Sequence, residues 1–200
     1  MKKVIKILLS IAFVAITSNT INGATVAPTS IYVSKADEAK KIVLNFENMF
    51  ADKVTCTFSS LDNGSIFSDI IYTSERKSKK YDLSKLPLGN YVVEVNDLMK
   101  IEKLSLTITK EGVEFSNEES QITYKPTVWL NEDNTVDFNL LALSKDVKIF
   151  ISNGDEVILK EEISGESSVG RRYNLNKYDG QDITVNVYHA GEDFTYTLSL

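Results

Sequence analysis

Two pairs of adjacent basic residues are the clearest groups in this sequence that could bind a charged ligand. Lys79-Lys80 and Arg171-Arg172 each stand directly before a tyrosine, and the two pairs lie 92 positions apart. Such pairs can dock an acidic protein or an acidic polysaccharide. The alternative is structural, because charge on an outer strand prevents edge-to-edge pairing between molecules. We favour the structural interpretation and keep all four residues as candidate binding residues.

Few residues are suited to catalysis or metal binding. His189 is the only histidine and Cys56 the only cysteine, so zinc sites and histidine-assisted nucleophiles lack their usual parts. The acidic clusters 131–134 (NEDN) and 153–156 (NGDE) offer oxygen ligands for calcium, but neither has the spacing of a calcium loop. We predict solvated turns there. The sequence therefore predicts a protein that is not an enzyme, with no catalytic residue, no metal and no cofactor.

Two alternatives to a purely structural surface remain open. A glycan- or peptide-binding module would need an aromatic cleft, for which Trp129 near the domain seam is the main candidate; the other aromatic candidates are Tyr72, Tyr124 and Tyr178. Each of these rings could equally pack in a core or in the seam. A hydrolase would need carboxylates facing each other across a cleft, such as Asp137 with Glu161 or Glu162, and the sequence gives no reason to pair them.

The first 24 residues, MKKVIKILLSIAFVAITSNTINGA, predict a signal peptide. Lysines precede a short apolar run, and small and polar residues follow it, as in secretory leaders. The run is too short to span a bilayer, which takes about 20 residues. Removal of this leader lowers the net charge from −6 to −9. We expect an exported, acidic protein at the cell surface or in the periplasm, without nucleic acid or a membrane span as partner.

The rest of the chain predicts short strands. Valine, isoleucine, threonine and aromatic residues alternate with polar ones, and Asn-Gly or Gly-Asn turns separate the runs. A short helical turn is predicted only at 37–41 (DEAKK). The clearest predicted strands are Ile42–Phe46, Val54–Phe58, Ile66–Tyr72, Tyr91–Val95 and Leu104–Ile108. This pattern is typical of an all-β sandwich.

The two halves of the chain repeat one pattern. Val54, Cys56 and Phe58 correspond to Val147, Ile149 and Ile151, and later strands match at nearly the same offset. Cys56 thus stands where isoleucine stands in the other copy, which predicts a small buried hydrophobe. We predict two tandem immunoglobulin-like antiparallel β-sandwiches. The predicted boundaries are 1–24 signal peptide, 25–112 first sandwich, 113–125 linker and 126–200 second sandwich.

The segment 81–95, YDLSKLPLGNYVVEV, joins a turn to a strand. Tyr91, Val93 and Val95 are expected to face the core. Tyr91 follows Gly89 closely, as in the tyrosine corner of immunoglobulin-like sandwiches, where the hydroxyl bonds to upstream backbone. No histidine or lysine arrangement accompanies Tyr91, so we predict a structural role for it.

The same segment resembles the C-terminal sorting domains of type IX secretion cargo and related small exported β-sandwich domains without assigned function. The resemblance covers residues 42–109 and, less closely, 136–200; in the second copy Ile183 replaces the tyrosine. It implies a sandwich fold and export. Because the better match lies in the first half, the leading hypothesis is a non-enzymatic protein that interacts with an unknown protein or polysaccharide.

Overall fold

The computed structural model describes residues 32–35, 39–46, 51–62, 64–74, 78–115 and 120–200. The predicted signal peptide lies outside these residues, as do Asn63, Arg76 and Lys77. No helix in the described part is long and apolar enough to cross a membrane. The fold is all-β with antiparallel sheets, as the alternating pattern predicts. A single 3-10 turn, Asn176–Tyr178, interrupts the strands of the described part.

The first half of the chain forms two sheets. A three-stranded sheet has the order β1-β2-β5, and a larger sheet has the order β4-β3-β6-β7-β8, with β9 also pairing with β7. The strands are β1 Tyr32–Lys35, β2 Lys41–Asn45, β3 Lys53–Ser60, β4 Gly64–Tyr72, β5 Ser78–Asp82, β6 Gly89–Asn96, β7 Lys100–Ile108, β8 Val113–Phe115 and β9 Gln121–Tyr124.

The second half repeats this architecture. Its three-stranded sheet has the order β10-β11-β14, and its four-stranded sheet has the order β13-β12-β15-β16. The strands are β10 Thr127–Leu130, β11 Thr135–Leu141, β12 Val147–Asn153, β13 Glu156–Ile163, β14 Ser168–Asn174, β15 Asp182–His189 and β16 Glu192–Ser199.

Register shows that β1–β7 correspond to β10–β16 strand by strand, whereas β8 and β9 have no counterpart in the second half. Cys56 of β3 is paired with Val95 of β6, and Ile149 of β12 is paired with Val187 of β15, the equivalent position. Both halves also have a β-bulge at the same place, after Phe58 and after Ile151 respectively. A shared bulge is a specific feature, since it requires one extra residue at one point of the ladder.

Each half encloses its own apolar cluster. The first is built from inward residues of both sheets, with Leu44, Cys56 and Phe58 fully buried. The second has Phe138 and Ile149 at its centre, also fully buried. Alternation explains this, because every second side chain of a strand faces the same way. The predicted burial of Cys56 is therefore confirmed.

The predicted tyrosine corner is present. The hydroxyl of Tyr91 donates a hydrogen bond of 2.8 Å to the backbone carbonyl of Pro87, and the ring is buried. Gly89 has φ +149°, a value that side-chain-bearing residues rarely adopt. The bond ties the β5–β6 connection to the start of β6.

We expect Tyr91→Phe to lower the free energy of unfolding by about 1 kcal/mol, since it removes one hydrogen bond and leaves the packing intact. Urea denaturation followed by far-UV circular dichroism would measure this change in the free energy of unfolding. Tyr173→Phe is not a suitable control because that hydroxyl is bonded to a carboxylate. Thr107→Val, at an exposed side-chain hydrogen bond, should change stability by much less.

Two local expectations need correction. Lys41, expected in a helical turn at 37–41, begins β2 instead, and Ala39 and Lys40 form a turn; residues 37 and 38 lie outside the described part. The segment 113–125, expected as a linker, contributes β8 and β9, both paired with β7. It forms strands because Val113 and Phe115, and then Ile122 and Tyr124, continue the alternating pattern up to β10.

Candidate functional site

The basic pair in the first half is part of a cluster between the two sheets. The carboxylate of Asp69, on β4, accepts hydrogen bonds from the Tyr81 hydroxyl at 2.8 Å and from the Lys79 ammonium group. Tyr81 and Lys79 belong to β5, the edge strand of the other sheet. The three side chains thus connect the two sheets at one open side of the sandwich. We call this arrangement an inter-sheet cluster.

The second half contains the same cluster. Glu161 of β13 accepts a 2.8 Å bond from the Tyr173 hydroxyl and a 2.6 Å bond from Arg171 Nε. A second carboxylate, Glu166, lies 2.9 Å from Arg171 Nη2. Lys79 and Arg171 therefore bridge the two sheets, a structural role different from the protection of an outer strand that the sequence suggested.

The second member of each pair faces the outside. Arg172 makes a two-pronged contact with Asp137, at 2.6 and 2.7 Å. Lys80 is also engaged in an intramolecular interaction. Planar two-point pairing is the strongest common geometry between arginine and a carboxylate. The guanidinium of Arg172 is consequently held in one orientation on the surface.

These contacts set the ionisation of the carboxylates. Burial alone would raise the pKa of Glu161, but hydrogen bonds from Arg171 and Tyr173 outweigh it and hold that pKa below its ordinary value. The hydrogen bond from Arg172, followed by one from Asn131, lowers the pKa of Asp137 from 3.8 to about 2. Asp137 lies on the outer face, whereas Glu161 lies in the inter-sheet cluster. Of the carboxylates considered for a hydrolase, Asp137 and Glu161 are thus bound to arginine, and Glu162 is paired with Lys160.

The pKa of Asp137 predicts an acid-dependent loss of stability. A carboxylate with a depressed pKa stabilises the folded state above its unfolded pKa of 3.8, and this contribution is lost as the pH falls toward about 2. Arg172→Gln should therefore lower the melting temperature at pH 7, and the gap to the wild type should narrow at pH 2. Thermal circular dichroism at both values measures this, with Lys145→Gln as control. An equal gap at both pH values would contradict it.

Trp129 stands on the outer face of the sheet β10-β11-β14, which we call the Trp129 face. Its side chain is 66% exposed, because Val128 and Leu130 take the inward positions of β10. Register places Trp129 opposite Asp137, and Asp137 opposite Arg172. The ring, the carboxylate and the guanidinium therefore form one row across the sheet.

The neighbouring row of the Trp129 face is polar and open. Thr127, Asn139 and Gly170 are opposite one another, and all three are exposed. Because Gly170 has no side chain, the amide of Asn139 has no side chain beside it on β14. A flat indole ring beside amide, hydroxyl and charged groups suits a ligand with one apolar face and several hydroxyls.

The seam between the halves contains a separate cavity of about 580 Å³. Its aromatic rings are Phe194 and Tyr196, and the Tyr196 hydroxyl donates a 2.6 Å bond to the carbonyl of Pro126. Trp129 does not line this cavity, so the ring does not form a cleft at the seam itself. Tyr124 and Tyr178 pack against the second core, whereas Tyr72 is exposed.

Cys56 and His189 are both buried and unsuited to nucleophilic chemistry. Burial raises the pKa of the Cys56 thiol to about 12, so the reactive thiolate is scarce at neutral pH. Burial also lowers the pKa of His189, whose Nδ1 lies 3.3 Å from the Asp146 carbonyl oxygen. His189 ends β15 at the two-residue turn of the last hairpin.

Residues 132–134 and 154–155 form turns, as expected for the acidic clusters. Among the described residues, no group of three or more histidine, cysteine or acidic side chains is arranged to hold a metal ion.

The sequence did not predict that Asp69 and Glu161 would complete the inter-sheet clusters. Asp69 and Glu161 are 92 positions apart, the same offset as Lys79 and Arg171, so the repeat could have identified them. It also missed an edge-to-face pair, Phe150 with Tyr188, at 5.6 Å between ring centroids. These rings line a cavity of about 430 Å³ on the outer face of the second sandwich.

Comparisons with known proteins include two remote structural likenesses. No family model and no curated protein matches the chain. A solved biofilm-associated protein, its BSP domain, is 12% identical with a TM-score of 0.26, over 84% of this chain and 29% of that one. The receptor tyrosine kinase Torso, from a structure on neurohormone perception, is 10% identical with a TM-score of 0.25, over 84% and 72%. The chain thus spans less than a third of the first of these.

Proposed function

We propose that the chain is an exported, non-enzymatic protein that acts by binding a partner at the cell surface or in the periplasm. The observation that carries this proposal is the duplicated inter-sheet cluster. The basic and acidic side chains that chemistry would need are engaged in structural contacts, since Lys79 is bound to Asp69 and Arg171 is bound to Glu161. What remains for function is the outer surface of two sandwiches.

A cell-binding assay tests this proposal. Labelled protein without residues 1–24 is expected to bind saturably to producer cells that lack the gene. Glu162 forms only an exposed ion pair with Lys160 and lies away from the Trp129 face, so Glu162→Gln should bind as the wild type does. Absence of saturable binding would contradict the proposal, as would turnover of a cell-surface glycan by the wild type that Glu162→Gln lacks.

The resemblance to type IX sorting domains implies a route of export. A periplasmic reporter fused to residues 118–200 should then appear outside the cell, while the same reporter fused to residues 25–115 should not. A reporter retained in the periplasm in both cases ends the sorting hypothesis and leaves the binding proposal untouched.

Glycan binding is the second candidate function, and the exposure of Trp129 favours it. Pyranose rings stack their C–H faces on exposed aromatic rings, and Asn139 and Arg172 stand where hydroxyl groups of the sugar would lie. On a glycan array, Trp129→Ala should abolish binding, while Tyr188→Ala, which removes another exposed ring, should preserve it. An array without signal for the wild type counts against this candidate.

A further inference from the structure

Strand β4 has an open edge with apolar side chains. It is the outermost strand of its sheet and, among the described residues, pairs with β3 alone. Ile70 and Tyr72 point away from the core and are 50% and 52% exposed. Unpaired backbone groups beside apolar side chains make such an edge a template for another strand.

The equivalent strand of the second sandwich is protected. Lys160 and Glu162 of β13 occupy the positions of Ser68 and Ile70, and they form an ion pair of 2.8 Å. Charges at these positions discourage pairing with another strand. Asp69 is the only charged residue of β4, and it is bound to Lys79 and Tyr81. The edge strand β13 therefore has charged outward side chains at two positions where the equivalent edge strand β4 has uncharged ones.

We propose that β4 pairs with β4 of a second copy of this chain, antiparallel and around a two-fold axis at Ile70. Ile70 then contacts Ile70 of the other copy, and Tyr72 stands opposite Ser68. Without residues 1–24, each copy carries net charge −9, and two copies repel each other at long range. An edge whose outward side chains are uncharged is the kind of surface on which they can meet.

The register follows from two features of β4. The β-bulge places Ile66 outside the regular ladder, so pairing is favoured over the residues after it. An axis at Asp69 would put the two carboxylates directly opposite, and like charges opposite each other destabilise a sheet. With the axis at Ile70, Asp69 stands opposite Ile71 of the other copy. In this register the outward side chains Ser68, Ile70 and Tyr72 of one copy meet Tyr72, Ile70 and Ser68 of the other.

Sedimentation velocity of the protein without residues 1–24 tests the interface. We expect a reversible dimer at tens of micromolar. Ile70→Glu, which introduces the residue found at the equivalent position of β13, should raise the dimer dissociation constant by about tenfold or more. Val157→Glu is the matched control, because Val157 is an exposed apolar residue of β13. It should leave the dimer intact.

Cross-linking tests the register without introducing a charge at the interface. Opposed residues of antiparallel strands have Cα atoms about 4.5–5.5 Å apart, within the range that a disulfide bridges. Ile70→Cys should therefore form a disulfide-linked dimer on mild oxidation. Ser68→Cys should not, because the two Ser68 positions would lie about 13 Å apart along the strands. Glu162→Cys should also remain monomeric, and the buried Cys56 gives no background.

Four outcomes would overturn the proposal: a monomeric wild type at these concentrations, an unchanged dimer in Ile70→Glu, loss of the dimer in Val157→Glu as well, or no cross-link through Ile70→Cys. If Ile70→Glu fails to fold, the cross-linking result decides alone. The interface goes beyond the proposed function and lies on the other sandwich from the Trp129 face. A dimer that binds neither glycan nor cells would contradict the proposed function and leave the interface intact. A monomer that binds would contradict the interface and leave the proposed function intact.

Discussion

Leu44→Ala and Phe138→Ala are expected to destabilise two different parts of the molecule. Both residues are fully buried and occupy equivalent positions, Leu44 opposite Lys79 and Phe138 opposite Arg171. Each truncation removes apolar burial and leaves a cavity, at a cost of about 2–5 kcal/mol for leucine and about 3–5 kcal/mol for phenylalanine. In a unit of this size, 1 kcal/mol corresponds to about 4–8 °C in melting temperature. The shifts should therefore be large.

Differential scanning calorimetry can assign each shift. Because the two apolar clusters share no residue, Leu44→Ala should lower one transition and Phe138→Ala the other. Leu141→Ala, a truncation at an exposed position of β11, should move neither transition by more than a degree or two. Equal lowering of one common transition by both core variants would show that the halves unfold as one unit.

Alternation was sufficient to predict the strands because it determines which side chains can be buried together. The expected strand Val54–Phe58 lies within β3, and Tyr91–Val95 lies within β6. The tyrosine corner could be predicted because it depends on residues four apart in sequence, Pro87 and Tyr91. Local geometry is enough for such features.

The inter-sheet clusters depend on which strands of the two sheets lie side by side, and alternation does not predict this. Asp69 and Lys79 belong to strands of different sheets, β4 and β5, which meet only when the sandwich closes. A pattern of period two predicts which face of a strand is buried and does not predict which edges stand side by side. The partners of Lys79 and Arg171 could therefore be found from the repeat, but not from the strands alone.

The seam was difficult to predict for a similar reason. Residues 113–125 include a polar part, which suggested a linker, yet Ile122 and Tyr124 alternate as a strand does and pair with Glu102 and Lys100. Pairing with β7 depends on β7 having a free edge beyond β8. Whether an edge is free is a property of the assembled sheet, so the sequence of the segment does not contain it.

The second large effect is expected in the part of β7 that pairs with β9. Lys100 and Glu102 are 2% and 1% exposed, and Lys100 Nζ lies 3.0 Å from Glu102 Oε2. Ser120 donates a 2.7 Å bond to the other oxygen of Glu102. Lys100→Met would leave the carboxylate buried without the ammonium group. Removing one partner of a buried pair costs about 3–5 kcal/mol.

The reason for so large a cost is the remaining charge, and a double variant can show it. In Lys100→Met with Glu102→Leu, no charge is left to be desolvated, so most of the stability should return. Lys103→Met is the matched control on the same strand: Lys103 is 34% exposed and pairs with Glu94 and Glu192, so the loss should be about 1 kcal/mol or less. Urea denaturation measures all three. If the double variant is as unstable as Lys100→Met, the cost comes from packing and not from the unpaired carboxylate.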